Sequence, residues 1–186
     1  FLNLSRISEI HDPRLPVLGR VTEGFINVHI FQVTQINFTR HSIRWGTITE
    51  IAPEGCFLDT EGDTTGCTGA TSVNTGLILE NTGTVPVTVN ITLDSDAASM
   101  IGGSGPQLMF KIEEYEPMSC NISGGPNFTD YVAVQAGRRY EICRRFDYNS
   151  LQDSLEIDFR LRLPPDLTCL GVDCSSTVVA YAQAQP

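Results

Sequence analysis

Asp59, Glu61 and Asp63 stand at i, i+2 and i+4 between Cys56 and Cys67. Carboxylates at this spacing supply hard oxygen ligands, the donors that calcium takes. The longer loop between two helices that makes a strong calcium site is absent. Calcium is thus the one cofactor to consider, and none is required; a solvated acidic loop tied by a disulfide is the other reading. Asp94 and Asp96 repeat the pattern more weakly. Glu113, Glu114 and Glu116 surround Tyr115, but glycoside hydrolysis needs two carboxylates facing each other across a cleft, and the spacing supplies no such pair. His11, His29 and His41 are scattered. Neither a nucleophile elbow, a zinc-protease helix nor a phosphate loop occurs. The reading is that the chain is not an enzyme.

The cysteines and asparagines carry a different chemistry. Cys56, Cys67, Cys120, Cys143, Cys169 and Cys174 are even in number, and none forms a Cys-x-x-Cys pair. Zinc sites use that short spacing, so disulfides are the simpler reading, against buried free thiols. They place the chain in an oxidising compartment. Sequential pairing, Cys56–Cys67, Cys120–Cys143 and Cys169–Cys174, would clip three local loops. Asn3, Asn37, Asn90, Asn121 and Asn127 each open an Asn-x-Ser/Thr triplet without proline. Together with the cysteines they read as an exported, glycosylated surface, although a Thr-rich composition alone produces some triplets.

The 186 residues carry a formal net charge of -10, which argues against nucleic acid as a partner. Lys111 is the only lysine among the twelve basic residues. Arg138, Arg139, Arg144 and Arg145 form the one basic concentration, facing either an acidic patch on another copy or Glu141 and Asp147 within the chain. No apolar run is long enough for a membrane-spanning helix. The start at Phe1 reads as a mature end cut from a precursor.

These groups must be positioned by strands. Alternating apolar residues mark strands within 21–37, 41–51, 108–112, 131–135, 139–146, 155–163 and 177–182. Gly46 is the expected bulge in the second of these. The segment 52–72 reads as a loop, and 94–106 as a loop with one helical turn. Leu155, Ile157, Phe159, Leu161 and Leu163 face one way, with Glu156, Asp158, Arg160 and Arg162 opposite. Val85, Val87, Val89, Ile91 and Leu93 alternate after the turn Asn81-Thr82-Gly83, and Asn90 falls on the outward face. The expected fold is all-β, a jelly roll or β-sandwich with an extended N-terminal arm. Residues 1–20 would be the arm and 21–186 a single domain.

The stretch Leu77-Ile-Leu-Glu-Asn-Thr-Gly-Thr-Val-Pro-Val-Thr-Val-Asn-Ile-Thr-Leu93 resembles the strand, Asn-Thr-Gly, strand element of TasA/camelysin-type secreted matrix fibre subunits. Archaeal bundling pilins of the same jelly-roll type share this look. The cysteines and glycosylation triplets depart from the bacterial fibres and look more like an archaeal surface protein. The resemblance implies an exported subunit of an extracellular filament that supports adhesion or a biofilm matrix. Its partners would be other copies of itself, with further cell-surface or matrix components. An N-terminal strand of one subunit would complete the sheet of the next, and Leu2 and Leu4, continued by Ile7 and Ile10, would be the inserted side chains. The alternative is a monomeric extracellular adhesion or carbohydrate-binding sandwich presenting Tyr115, Tyr131 or Tyr148.

Overall fold

A computed structural model describes residues 31–121 and 125–185, and the unit they form is Gln32–Pro186. The expected arm, 1–20, lies outside the described residues. The fold is a β-sandwich. Its strands are β1 (Asn37–Arg40), β2 (Gly46–Ile51), β3 (Cys56–Asp59), β4 (Cys67–Ala70), β5 (Leu77–Glu80), β6 (Val87–Leu93), β7 (Gln107–Glu114), β8 (Val132–Ala133), β9 (Tyr140–Phe146), β10 (Ser154–Leu163) and β11 (Val178–Ala184). One short helix, α1 (Ala97–Ile101), follows β6 and is capped by the Asp96 carboxylate on the Ser99 N–H.

The larger sheet runs β1-β5-β10-β7-β8, with β3 also on β10; the smaller runs β11-β6-β9, and β2 and β4 form a ribbon. All the pairings are antiparallel. Alternation in the sequence becomes burial. Leu155, Ile157, Phe159, Leu161 and Leu163 of β10 meet Val87, Val89, Ile91 and Leu93 of β6 in one core, joined by Leu79, Phe110, Ile112 and Phe146. Phe110, Phe128 and Tyr140 pack edge to face within it, with centroids 4.9–5.7 Å apart.

One edge of β10 pairs with β7 from Leu155↔Glu114 to Arg162↔Gln107. The other edge is shared end to end by β5, at 154–157, and β3, at 160–163. Thr60 fills the junction: its N–H donates to the Phe159 carbonyl, and its hydroxyl accepts from the Phe159 N–H, both at 3.0 Å. Gly76 lets the chain pass this point, since a Cβ there would lie 2.2 Å from the Ile157 carbonyl oxygen.

The segment 52–72 is not only a loop: it contains β3 and β4. These strands are four residues each and are interrupted by Asp, Gly and Thr, so neither builds a legible period. Gly46 opens β2 at φ +77°, and the β2–β4 register shifts just beyond it. The expected strand at 131–135 shortens to Val132–Ala133.

Candidate functional site

The two flanks of the sandwich differ. On one, residues of the segment between β7 and β8 seal the gap between the sheets. The Phe128 carbonyl accepts from the Ile112 N–H of β7 at 2.8 Å, and Asn127 N–H donates to the Ile142 carbonyl of β9 at 2.8 Å. Asn121 N–H reaches the Arg145 carbonyl, Cys120 bridges to Phe146, and the Cys120–Cys143 disulfide fixes the segment to β9. The Ile142 and Arg145 carbonyls on the edge of β9 are thereby paired.

Among the described residues the opposite flank is open. β1 ends the larger sheet and β11 ends the smaller one, and the described residues place no further strand on either. Between them lies a groove of about 460 Å³ lined by Ile36, Phe38, Leu79, Val178 and Ala180, with His41 at its rim. Its depth follows from composition. The core-facing side chains of β11 are Val178, Ala180 and Ala182, all partly exposed, whereas their counterparts on β6 are Val and Leu or Ile and fully buried. Two alanines leave room where the other strands supply branched side chains. Two edge strands side by side over an underfilled apolar groove are a template for a further strand.

The second cluster covers the outer face of β7 and β10. Lys111 and Asp158 stand directly opposite each other across the ladder, 8% and 3% exposed. Glu61, from the β3–β4 turn, and Tyr131, beside β8, meet above them: the Tyr131 hydroxyl donates to Glu61 Oε2 at 3.1 Å. Lys111 Nζ donates to Glu61 Oε1 at 2.7 Å and also to Glu113. Arg160 reaches Asp59 and Glu61 at 3.2 and 3.4 Å and stacks 4.1 Å from the Tyr131 ring centroid. The hydrogen bond from Lys111 holds Glu61 below the usual carboxylate range, against its own burial. Burial, reinforced by the Glu61 charge, pushes Tyr131 up. Burial alone would lower the Lys111 amine, but its bonds to Glu113 and Glu61 outweigh this and raise it. Burial also raises Asp158, opposed by a 2.5 Å hydrogen bond from the Thr60 hydroxyl and by the Lys111 charge.

This arrangement accounts for the acidic triplet. Asp59 Oδ1 accepts from the N–H groups of Glu61 and Asp63 and its Oδ2 faces Arg160; Asp63 Oδ1 accepts from the Thr65 N–H and hydroxyl, which lower its pKa. Asp59 and Glu61 meet at Arg160 while Asp63 turns to Thr65, and among the described residues no group of three or more His, Cys, Asp or Glu is placed to hold a metal. Asp94 and Asp96 likewise cap Thr177 and Ser99.

The disulfides join Cys56 to Cys67, Cys120 to Cys143 and Cys169 to Cys174. Asn37 is exposed on β1, at the groove, and Asn121 is exposed. Asn90 is half-buried on the outer face of β6, between Tyr181 and Glu141. Asn127 is half-buried too, its side-chain amide donating to the Glu141 carbonyl. Asn3 and the expected assembly residues Leu2, Leu4, Ile7 and Ile10 lie outside the described residues. Arg144 pairs with Glu141 within the chain, and Arg138 and Arg139 stack on Tyr140 and Tyr181. Tyr115 and Tyr148 are exposed.

Sequence reasoning missed the groove and the Lys111–Asp158 pair. The alanines of β11 were a signal for the first, and the solitary lysine for the second. Three disulfides fit an oxidising, secreted environment, and among the described residues no helix is long and apolar enough to cross a membrane. No protein-family model, curated protein or solved structure matches the chain.

Proposed function

We propose that this chain is a structural, non-catalytic subunit of an extracellular filament or pilus of the TasA-like kind, at the surface of an archaeal cell. Subunits polymerise head to tail: the N-terminal arm of one copy lies between β1 and β11 of the next and pairs with their edges. The filament serves adhesion or a biofilm matrix. The observation that carries this reading is the open flank, where two edge strands border one underfilled apolar groove. The arm, residues 1–20, would provide the occupant: in an extended segment Leu2 and Leu4 share a face, continued by Ile7 and Ile10. Donation would bury these side chains and extend the ladder at once. Glycans at the exposed triplets and the disulfides suit a durable surface polymer.

The test is deletion of residues 1–10, followed by electron microscopy and circular dichroism. Loss of filaments with the β-spectrum retained supports donation. Filaments of unchanged diameter and subunit rise defeat it.

A second reading, a monomeric adhesion or carbohydrate-binding module, draws on Tyr115, Met118, Tyr148 and Leu151, all exposed, where Gln152 touches Met118 between two neighbouring loops. A discrete monomer with an intrachain arm would favour it.

A further inference from the structure

We propose that Lys111 and Asp158 condense into an amide cross-link between β7 and β10. The sequence uses arginine at eleven of its twelve basic positions and lysine at one. That one lies buried opposite a buried aspartate, on the same face and in direct register. Arginine would serve an ion pair there as well or better, with its fixed fork and permanent charge. Lysine differs in the property an amide requires, an amine that can lose its proton and act as a nucleophile. Directly opposed residues in an antiparallel pair have Cβ atoms about 4.5–5.5 Å apart, within reach of a four-carbon stem.

The surroundings supply the remaining parts. Glu113 and Glu61 both accept from Nζ and hold it protonated at rest, and Glu113 is placed to receive its proton in the reaction. The Thr60 hydroxyl donates to Asp158 Oδ1 and polarises that carboxyl. The Tyr131 hydroxyl bonds Glu61 beside the pair, and burial favours the uncharged acid at Asp158. The structure shows the separated reactants, with the amine on its two glutamates and Asp158 on Thr60.

In the reaction the ammonium passes a proton to Glu113, and the freed Nζ attacks Cγ of protonated Asp158. The Nζ–Cγ bond forms and the Cγ–OH bond breaks. The hydroxyl leaves as water, taking the second amine proton through the same glutamate. The Lys111 ammonium, the Asp158 carboxylic acid and the Glu113 carboxylate become an amide, one water and a Glu113 carboxylic acid, with no change of oxidation state and no further reactant. The product would lock the longest ladder of the larger sheet against sliding, whether or not the chain forms filaments.

The solitary lysine makes the test direct, because a lysine-specific protease has one site in the chain. Full-length unglycosylated protein is reduced, denatured, weighed and digested. A cross-linked fraction is lighter than the sequence by one water, resists cleavage after Lys111, and yields a branched peptide containing both residues. Lys111→Arg and Asp158→Ala restore the full mass, and Glu113→Gln slows the loss of water. Wild-type chains entirely at full mass and cleaved after Lys111 would overturn the proposal, and this readout does not depend on any variant folding.

Discussion

Ala180 offers the sharpest test of the open flank, because filling it should move folding and assembly in opposite directions. The residue lines the groove between β1 and β11 and is only partly buried. Ala180→Leu would place an apolar side chain where a donated one is proposed to sit. The displaced side chain loses its burial, worth about 1.5–3 kcal/mol for a leucine or isoleucine. At about 1.4 kcal/mol per factor of ten, the critical concentration for assembly should rise roughly 10- to 100-fold. The fold, by contrast, gains apolar contact against Phe38 and Leu79 and loses none. Its melting temperature should hold or rise. Sedimentation of polymer across a concentration series gives the first quantity and thermal unfolding of depolymerised subunits the second. Ala97→Leu, at a buried position in α1, is the comparison: it should destabilise by overpacking without occupying the groove. An unchanged critical concentration for Ala180→Leu, with the fold intact, would show that nothing inserts there.

The remaining outcomes concern the body of the subunit. Replacing Cys120 and Cys143 together by serine should lower stability by about 3 kcal/mol on the loop-entropy estimate for a 23-residue separation, and denaturant unfolding measures it. Native material should exceed 20.4 kDa, with Asn90 and Asn37 modified ahead of Asn127, whose amide is engaged; a native mass equal to the bare chain would refute this. A chelator should leave the melting temperature unchanged, because Asp59, Glu61 and Asp63 already have protein partners; a fall that calcium reverses would restore the triplet as a calcium loop. Glu61 has a folded pKa below its unfolded one, so its stabilising contribution is present above the ordinary carboxylate range and lost as pH falls through the folded value. Between about pH 5 and pH 3, Glu61→Gln should therefore lose less stability than the parent chain, as equilibrium unfolding at each pH would show.

The strands that the sequence announces are those with long periods. β10 alternates over ten residues and β6 over seven, and both bury the expected face. The Asn81-Thr82-Gly83 turn was legible too, and the structure adds its reason: the buried Asn81 amide donates to the Val85 and Phe146 carbonyls while its oxygen accepts from Gly83 N–H. β3 and β4 were hidden because four residues cannot display a period, and their pairing with β10 and β2 spans large separations. The acidic triplet was visible, but its partners were not. Lys111, Tyr131 and Arg160 lie 50 to 101 residues away from Asp59 or Glu61, and only the fold of β10 against β3 and β7 brings them together. The groove was least legible, since it consists in part of what Ala180 does not fill.

The asymmetry of the flanks bears on what kind of assembly could form. A strand edge paired with its own counterpart on a second copy gives a two-fold contact that closes as a dimer. A groove between two edges disfavours that outcome, because two copies of a concave surface leave the space between them empty. It is complementary to an extended segment instead, and in the proposed assembly that segment is the arm, a different part of the chain. A contact between unlike surfaces repeats without using itself up, so it yields rings or open filaments. The charge points the same way: copies each carrying -10 repel, and main-chain pairing with apolar burial is the attraction that such a charge leaves intact. The sealed flank then has its own role. With β9 tied by Cys120–Cys143 and covered by neighbouring residues, strand addition at the β1–β11 flank would give the proposed filament a single direction of growth.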